Sequence, residues 1–165
     1  MTDALRPTWP LIAFLASAAL LAGAHAFETF GHMAPCVMCL QQREVHWWIL
    51  GFAALCFAIL RFRPSLARPI AVLIGAGFLI SLFFAARHVA VEHHWLPAQC
   101  ETTSHLNAND LRFDVHATFS APRCDVPAWS MFGVTMAGYN GLISLALAAL
   151  SFLVALAPSR KDANG

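Results

Sequence analysis

The chain has 165 residues, 59% of them hydrophobic and only 12% charged, with a formal net charge of +1. A soluble domain is ordinarily about 45–50% apolar and about 25% charged, so a water-solvated globule and a disordered chain are both excluded. The single lysine leaves no basic footprint for nucleic acid. What remains is one domain solvated by lipid.

Crossing a bilayer takes about 20 mostly apolar residues, and four stretches of the sequence reach that length. The first runs from about Trp9 to Phe27. Its preceding Arg6 and its trailing Ala24-His-Ala26 also fit a cleaved signal peptide, although the run is long for one. The segment Pro35-Cys-Val-Met-Cys39 follows, at the mouth of a second span from about Leu40 to Leu60. Pro35 suits the first helical position, where no amide hydrogen is required. Cys36 and Cys39 can face one side of a helix or close a disulfide at its first turn. A thiol there feels the positive end of the helix dipole, and its thiolate is the nucleophile. Arg43 lies one turn beyond Cys39. An arginine at the membrane boundary costs a few kcal/mol unless it has a role or a partner, and this one can lower the Cys39 pKa or hold a polar group of a ligand. Cys56, alone inside the second span, reads as a small core residue.

The turn from Arg61 to Arg68 is the densest basic segment, and it leads to a third span from about Pro69 to Val91. The long polar connection from Glu92 to Ala128 carries Cys100 and Cys124. In its middle, Leu111, Val115 and Phe119 recur at a spacing that suits a short surface helix, or an irregular loop with scattered apolar residues. A fourth span runs from near Met131 to near Ala157, and Gly133, Ala137 and Gly141 would let it pack closely on a neighbour. All four spans read as helices, which satisfy their own backbone groups in lipid. The fold class is an all-α polytopic membrane protein: a four-transmembrane-helix bundle, one membrane domain over residues 1–165, with the long loop between helices 3 and 4.

Arg6, Arg61, Arg63, Arg68, Arg160 and Lys161 fall beside the termini or the basic turn, whereas Arg43, Arg87, Arg112 and Arg123 lie opposite, diluted by acids. The positive-inside rule puts both termini in the cytoplasm and the four cysteines outside Cys56 on the outer face. Disulfides persist there. Two dithiols on one face suggest thiol–disulfide exchange through a mixed disulfide. Two other readings stay open: a metal- or haem-binding protein that uses the cysteines and the eight histidines, and a scaffold whose disulfides are only structural.

The order of these features resembles the disulfide-bond formation protein B (DsbB) family of quinone-dependent thiol oxidases in the bacterial inner membrane. The resemblance rests on the four spans, Pro35-Cys-Val-Met-Cys39 with Arg43 after it, the two-cysteine outer loop, and Trp129-Ser-Met-Phe-Gly-Val-Thr-Met136 before the last span. It implies that Cys100 and Cys124 form the disulfide presented to a reduced periplasmic thioredoxin-fold partner (DsbA-like), whose thiolate attacks Cys100. It implies next that Cys124 engages Cys36, and that Cys39 is the thiolate beside a membrane quinone, ubiquinone or menaquinone. Arg43 would help place that quinone. Trp47, Trp48, Trp129, Phe132 and Met136 are apolar candidates for its surroundings, Trp129 and Met136 foremost, while Trp47 and Trp48 also fit an ordinary interfacial aromatic belt. Arg87 and His88 could line the site or sit at the interface. Departures from the family pattern are Leu40-Gln-Gln42 after the second cysteine and a loose match at Glu92-His-His94.

Overall fold

The computed structural model describes residues 6–98 and 123–157. Cys100, the suggested surface helix around Leu111 to Phe119, and the basic pair Arg160 and Lys161 lie outside them. Four helices are long and apolar enough to cross a membrane. They are α1 (Trp9–Gly31), α2 (Val37–Phe62), α3 (Ala67–Glu92) and α4 (Met136–Leu156). The shortest has 21 residues, which at about 1.5 Å per residue covers a hydrocarbon core of about 30 Å.

The helix ends follow from local chemistry. Pro10 sits in the first turn of α1, and His32 closes that helix in the left-handed region at φ 51°. The α2 N-cap is Cys36, whose sulfur accepts the Cys39 amide at 3.3 Å. Pro35 therefore stands just before the cap and not at the first helical position, because the thiol itself supplies the capping acceptor. A short 3₁₀ turn, Pro64–Leu66, joins α2 to α3. The Thr135 hydroxyl caps α4 by accepting the Gly138 amide at 3.1 Å.

Helix α4 begins after the apolar run does. Ser130–Met131 and Val134–Thr135 pair as a small antiparallel hairpin. Its two turn residues, Phe132 and Gly133, both have positive φ, 52° and 78°, the pattern of a turn whose twist suits paired strands. Gly133 thus serves the turn and not the helix interface. Ala137 and Gly141 are buried on α4, as a close-packing stripe requires.

Helix α1 packs on α2, α2 on α3, and α3 most extensively on α4, with only light contact between α1 and α4. Small residues set the closest approach. A Cβ added to Gly75 would lie 3.0 Å from the Ser151 Cβ and 3.2 Å from the Phe152 ring, and one added to Gly141 would lie 3.4 Å from the Ala85 Cβ. Lipid tails are as apolar as leucine, so such close packing is a main source of helix association. The apolar core joins Trp9, Ala13, Ile49, Ala53, Ile70, Ile74, Phe78 and Ala148, with Cys56 among them. At the basic end, Arg6 Nε donates to the Val154 carbonyl at 3.1 Å and Arg68 Nη2 to that of Ala157 at 3.5 Å. The α1–α2 connection, the end of α3 and the start of α4 meet at the other end, where the cysteines are.

Candidate functional site

Cys36 is buried at the mouth of α2, and Cys39 is half-buried one turn in. Their sulfurs are 2.8 Å apart, both are thiols here, and so is Cys56. Cys124 is disulfide-bonded. It is 1% exposed and packs with Cys36, Met38 and Val91 into a small cluster that Cys39 adjoins. The segment after helix α3 therefore returns a disulfide-bonded cysteine to the sulfur at the helix mouth. Beside it, Arg123 holds Asp125 through two hydrogen bonds of 3.0 and 2.6 Å, and the guanidinium keeps that exposed carboxyl below its usual range.

The donors around the dithiol converge on Cys36. The Cys39 thiol and amide both point to its sulfur, and His88 Nε2 on α3 lies 3.7 Å from it. These donors outweigh burial and bring the Cys36 thiol from its ordinary 9.0 down to about 4, the Cys39 side-chain hydrogen bond contributing most. The family resemblance assigns the thiolate to Cys39; in the reduced pair as it stands, the anion is favoured on Cys36, since it alone caps the helix and faces an imidazole.

A cavity of about 710 Å³ opens beside the pair. Its walls come from α1 (Leu20, Ala24, Phe27), α2 (Cys39, Gln42, Arg43, His46), the end of α3 and the start of α4. Trp129 and Met136 both line it, as the sequence suggests, whereas Trp47, Trp48 and Phe132 do not. Those three are 54%, 73% and 91% exposed, and Trp47 and Trp48 lie near the middle of α2 on its outward face. Trp129 sits between Phe27 and Tyr139, at ring-centroid distances of 5.2 and 6.0 Å. The Tyr139 hydroxyl donates to the Met131 carbonyl at 3.1 Å, which fixes the hairpin over the cavity.

Arg43 lines the cavity with a partner from α1. It is paired with Glu28, and its other terminal nitrogen donates to the Ala24 carbonyl at 3.0 Å. An arginine at this depth needs such neutralisation. Sequence reasoning counts Glu28 only as an acid on the outer side, and nothing in its local pattern marks it as the partner of Arg43.

His46 and His88 are 3% and 4% exposed and both line the cavity, so of the two sequence readings of His88 the structure takes the one that lines the site. Each meets an amide. Gln42 Nε2 lies 2.8 Å from His88 Nδ1, Asn140 Nδ2 donates to Gln42 Oε1 at 2.7 Å, and Asn140 Oδ1 lies 2.8 Å from His46 Nε2. Glu92 approaches His88 Nε2 at 3.8 Å and accepts the Thr135 hydroxyl at 2.6 Å. A signal for part of this was present: Cys39, Gln42, Arg43 and His46 form a polar stripe at helical spacing inside an apolar span.

Cys36, Cys39 and His88 place three soft donor atoms within 4.8 Å of one another. Two thiolates on one tetrahedral zinc sit about 3.8 Å apart, given a Zn–S distance of about 2.3 Å. The sulfurs here are 2.8 Å apart, and no fourth acidic, cysteine or histidine ligand joins the trio among the described residues. The cluster fits a dithiol held by an imidazole better than a metal site.

The family model for disulfide bond formation protein DsbB matches residues 6–154, nearly the whole chain. No curated protein and no solved structure matches it. The chain belongs to the DsbB family.

Proposed function

We propose that this DsbB-family protein is a quinone-dependent thiol oxidase that reoxidises a periplasmic thioredoxin-fold disulfide donor, DsbA-like in kind. The observation that carries the reading is the Cys36–Cys39 dithiol at the mouth of a cavity lined by Arg43, Trp129 and Met136, with the disulfide-bonded Cys124 packed on Cys36. A bound quinone would supply the two-electron acceptor. The cavity suits one: Phe27, Trp129, Tyr139 and Met136 offer flat or polarisable surfaces to a ring, and Arg43 offers a cation to a carbonyl oxygen.

The residues divide the work as follows. Cys100 and Cys124 form the disulfide that the partner's thiolate attacks, at Cys100, leaving Cys124 as a thiolate. Cys124 then attacks Cys36 of the oxidised helix-mouth pair and Cys39 leaves. The partner's second thiolate then attacks its mixed disulfide and expels Cys100, which releases the oxidised partner; Cys100 in turn attacks Cys124 and expels Cys36, which restores the Cys100–Cys124 disulfide and leaves Cys36 and Cys39 reduced. A bound quinone would accept the two electrons and two protons of those two thiols as their disulfide reforms. Each step conserves sulfur–sulfur bonds except the last, where quinone becomes quinol. Arg43 orients the acceptor, and Glu28 holds Arg43.

The basic end of the bundle, with both termini, faces the cytoplasm, and the cysteine end faces the periplasm. The protein resides in the inner membrane of a bacterial cell.

The test is quinone loss, followed by absorbance, when the purified chain meets a reduced thioredoxin-fold partner. The expected result is one quinone consumed per partner disulfide formed, and none with the Cys39→Ala chain. A folded wild-type chain that consumes no quinone would overturn the reading.

A further inference from the structure

Four polar side chains from three helices form one continuous hydrogen-bonded line through the buried part of the bundle. It starts at His46 on α2, crosses to Asn140 on α4, returns to Gln42 on α2 and ends at His88 on α3, with separations of 2.8, 2.7 and 2.8 Å. His88 then faces the Cys36 sulfur at 3.7 Å. Behind the line, Ser81 lies 3.1 Å from His46 Nε2 and 2.9 Å from the Ser144 hydroxyl.

The line has a direction. Asn140 Nδ2 donates to Gln42 Oε1. Gln42 must then turn its own nitrogen toward His88, which is the observed arrangement, with Gln42 Nε2 beside Nδ1. An imidazole nitrogen that accepts carries no hydrogen, so the neutral His88 ring bears its proton on Nε2. That hydrogen faces the Cys36 sulfur at 3.7 Å, with the Glu92 carboxylate at 3.8 Å and the Cys124 backbone as further acceptors of the same ring. At the other end, Asn140 Oδ1 accepts from His46 Nε2, and the Ser17 hydroxyl, 3.5 Å from His46 Nδ1, holds that second ring in the same tautomer. Every donor in the line points toward the sulfur.

We propose that His88 is a catalytic residue that donates its Nε2 hydrogen to the Cys36 thiolate, and that Gln42, Asn140 and His46 are positioning residues that keep His88 in the donating tautomer. The inference deepens the thiol-oxidase reading and rests on it for the word catalytic. A nucleophilic thiolate, a ring nitrogen facing it and a third group that orients the ring make a recurrent constellation in enzymes. Here the orienting group is an amide that is itself held by a second amide. The consequence for the reaction is that Cys36 is the sulfur prepared to act as nucleophile when the helix-mouth disulfide is rebuilt. No proton leaves His88 in that step; the hydrogen bond only stabilises the sulfur anion, and both thiol protons leave with the two electrons. The low value of the Cys36 thiol agrees with this geometry.

The groups that face Cys36 are few. On α2 they are Cys39 and, one turn further, Arg43. On α3 they are His88 and Glu92, and from the returning loop comes Cys124, beside the Arg123–Asp125 pair. Arg43 and Arg123 are each engaged by a carboxylate. His88 is the group placed to decide where Cys36 titrates once Cys39 is removed.

The experiment uses the full-length chain with Cys36 as its sole cysteine, purified in detergent, and reads the rate of iodoacetamide alkylation against pH. The thermal unfolding of each variant, followed by helical circular dichroism, restricts the comparison to folded protein. His88→Leu should lower the alkylation rate by about tenfold at pH values below both midpoints, since there one pH unit of midpoint shift changes the thiolate fraction by that factor. Asn140→Leu should shift the midpoint the same way by less. The double variant should match His88→Leu alone, because Asn140 acts only through His88. His88→Phe, which also removes the donor but keeps a ring, gives a second reading should His88→Leu fail to fold. An unchanged midpoint in folded His88 variants overturns the proposal, and so does a double variant whose shifts simply add. The assay needs no quinone. A wild-type chain inert toward quinone would therefore defeat the oxidase reading while leaving the shift in place, and an unshifted midpoint would defeat this inference while leaving the oxidase intact.

Discussion

Helix α3 enters the bundle with Ile70, Ile74 and Phe78 packed in one core with Ile49 and Ala53 of α2 and Ala148 of α4, and it leaves with His88 and Glu92 turned inward beside the Cys36 sulfur. The first half of the bundle is closed by apolar contact, down to a glycine at 75 that admits Ser151 and Phe152. The second half keeps a cavity of about 710 Å³ and lines part of it with amides and imidazoles. The difference teaches where each end's energy lies. In lipid, the packed end is held by van der Waals contact between small residues, and the open end by hydrogen bonds that would otherwise go unmet. Chemistry is placed where packing has been given up.

Breaking the open end should have the largest effect. Cys39→Ala should abolish quinone reduction while the Cys100–Cys124 disulfide still forms with an external oxidant, as judged by quinone absorbance and thiol counting. Arg43→Ala should raise the quinone KM by about tenfold, the value of one lost charged hydrogen bond, and leave the partner exchange unchanged in a stopped-flow assay.

Acid should expose the asymmetry within the dithiol itself. With Cys36 held down to about 4 against an ordinary 9.0, the reduced folded chain binds fewer protons than the unfolded one. Its stability should therefore rise with pH through that window and fade as pH falls toward the lower value. Alkylation resolved by mass spectrometry should find Cys36 modified ahead of Cys39 near pH 6. Equal rates would show that the donors around Cys36 do not hold in solution.

Breaking the closed end should do the opposite of Cys39→Ala. Ile74→Ala removes a side chain that is 1% exposed and should cost about 2–4 kcal/mol of stability, read by thermal unfolding, with turnover per folded molecule unchanged. The smallest effect is expected at Cys56, which lies in the apolar core: Cys56→Ala should keep full activity in the quinone assay, and a dead enzyme would place that thiol in the chemistry.

The spans were legible because lipid imposes a length and a polarity on any helix that crosses it, and α1 to α3 begin and end close to the hydropathy runs. The start of α4 was not. Met131 to Thr135 is as apolar as a helix start, yet Phe132 and Gly133 take positive φ and turn the chain back on itself. Cys36, Cys39, Cys124, Arg43, Trp129 and Met136 stood out as residues, and the structure gathers these six around one cavity or its mouth. Glu28, His46 and Asn140 did not stand out, and His88 did so only as a residue that could line the site. Each is an ordinary polar residue in its own helix, and its meaning depends on a partner from another.

The sequence by itself determined the solvent, the number of crossings, the basic end and the redox residue types, because composition, run length and charge are properties of single segments. Only the tertiary structure decided that Glu28 would hold Arg43, that Cys124 would lie on Cys36, and that an amide from α4 would orient, through Gln42, a histidine from α3. Those relations depend on how helices rotate and cross. Rotation is set by the close contacts of Gly75, Ala85 and Gly141 at interfaces that no single segment contains.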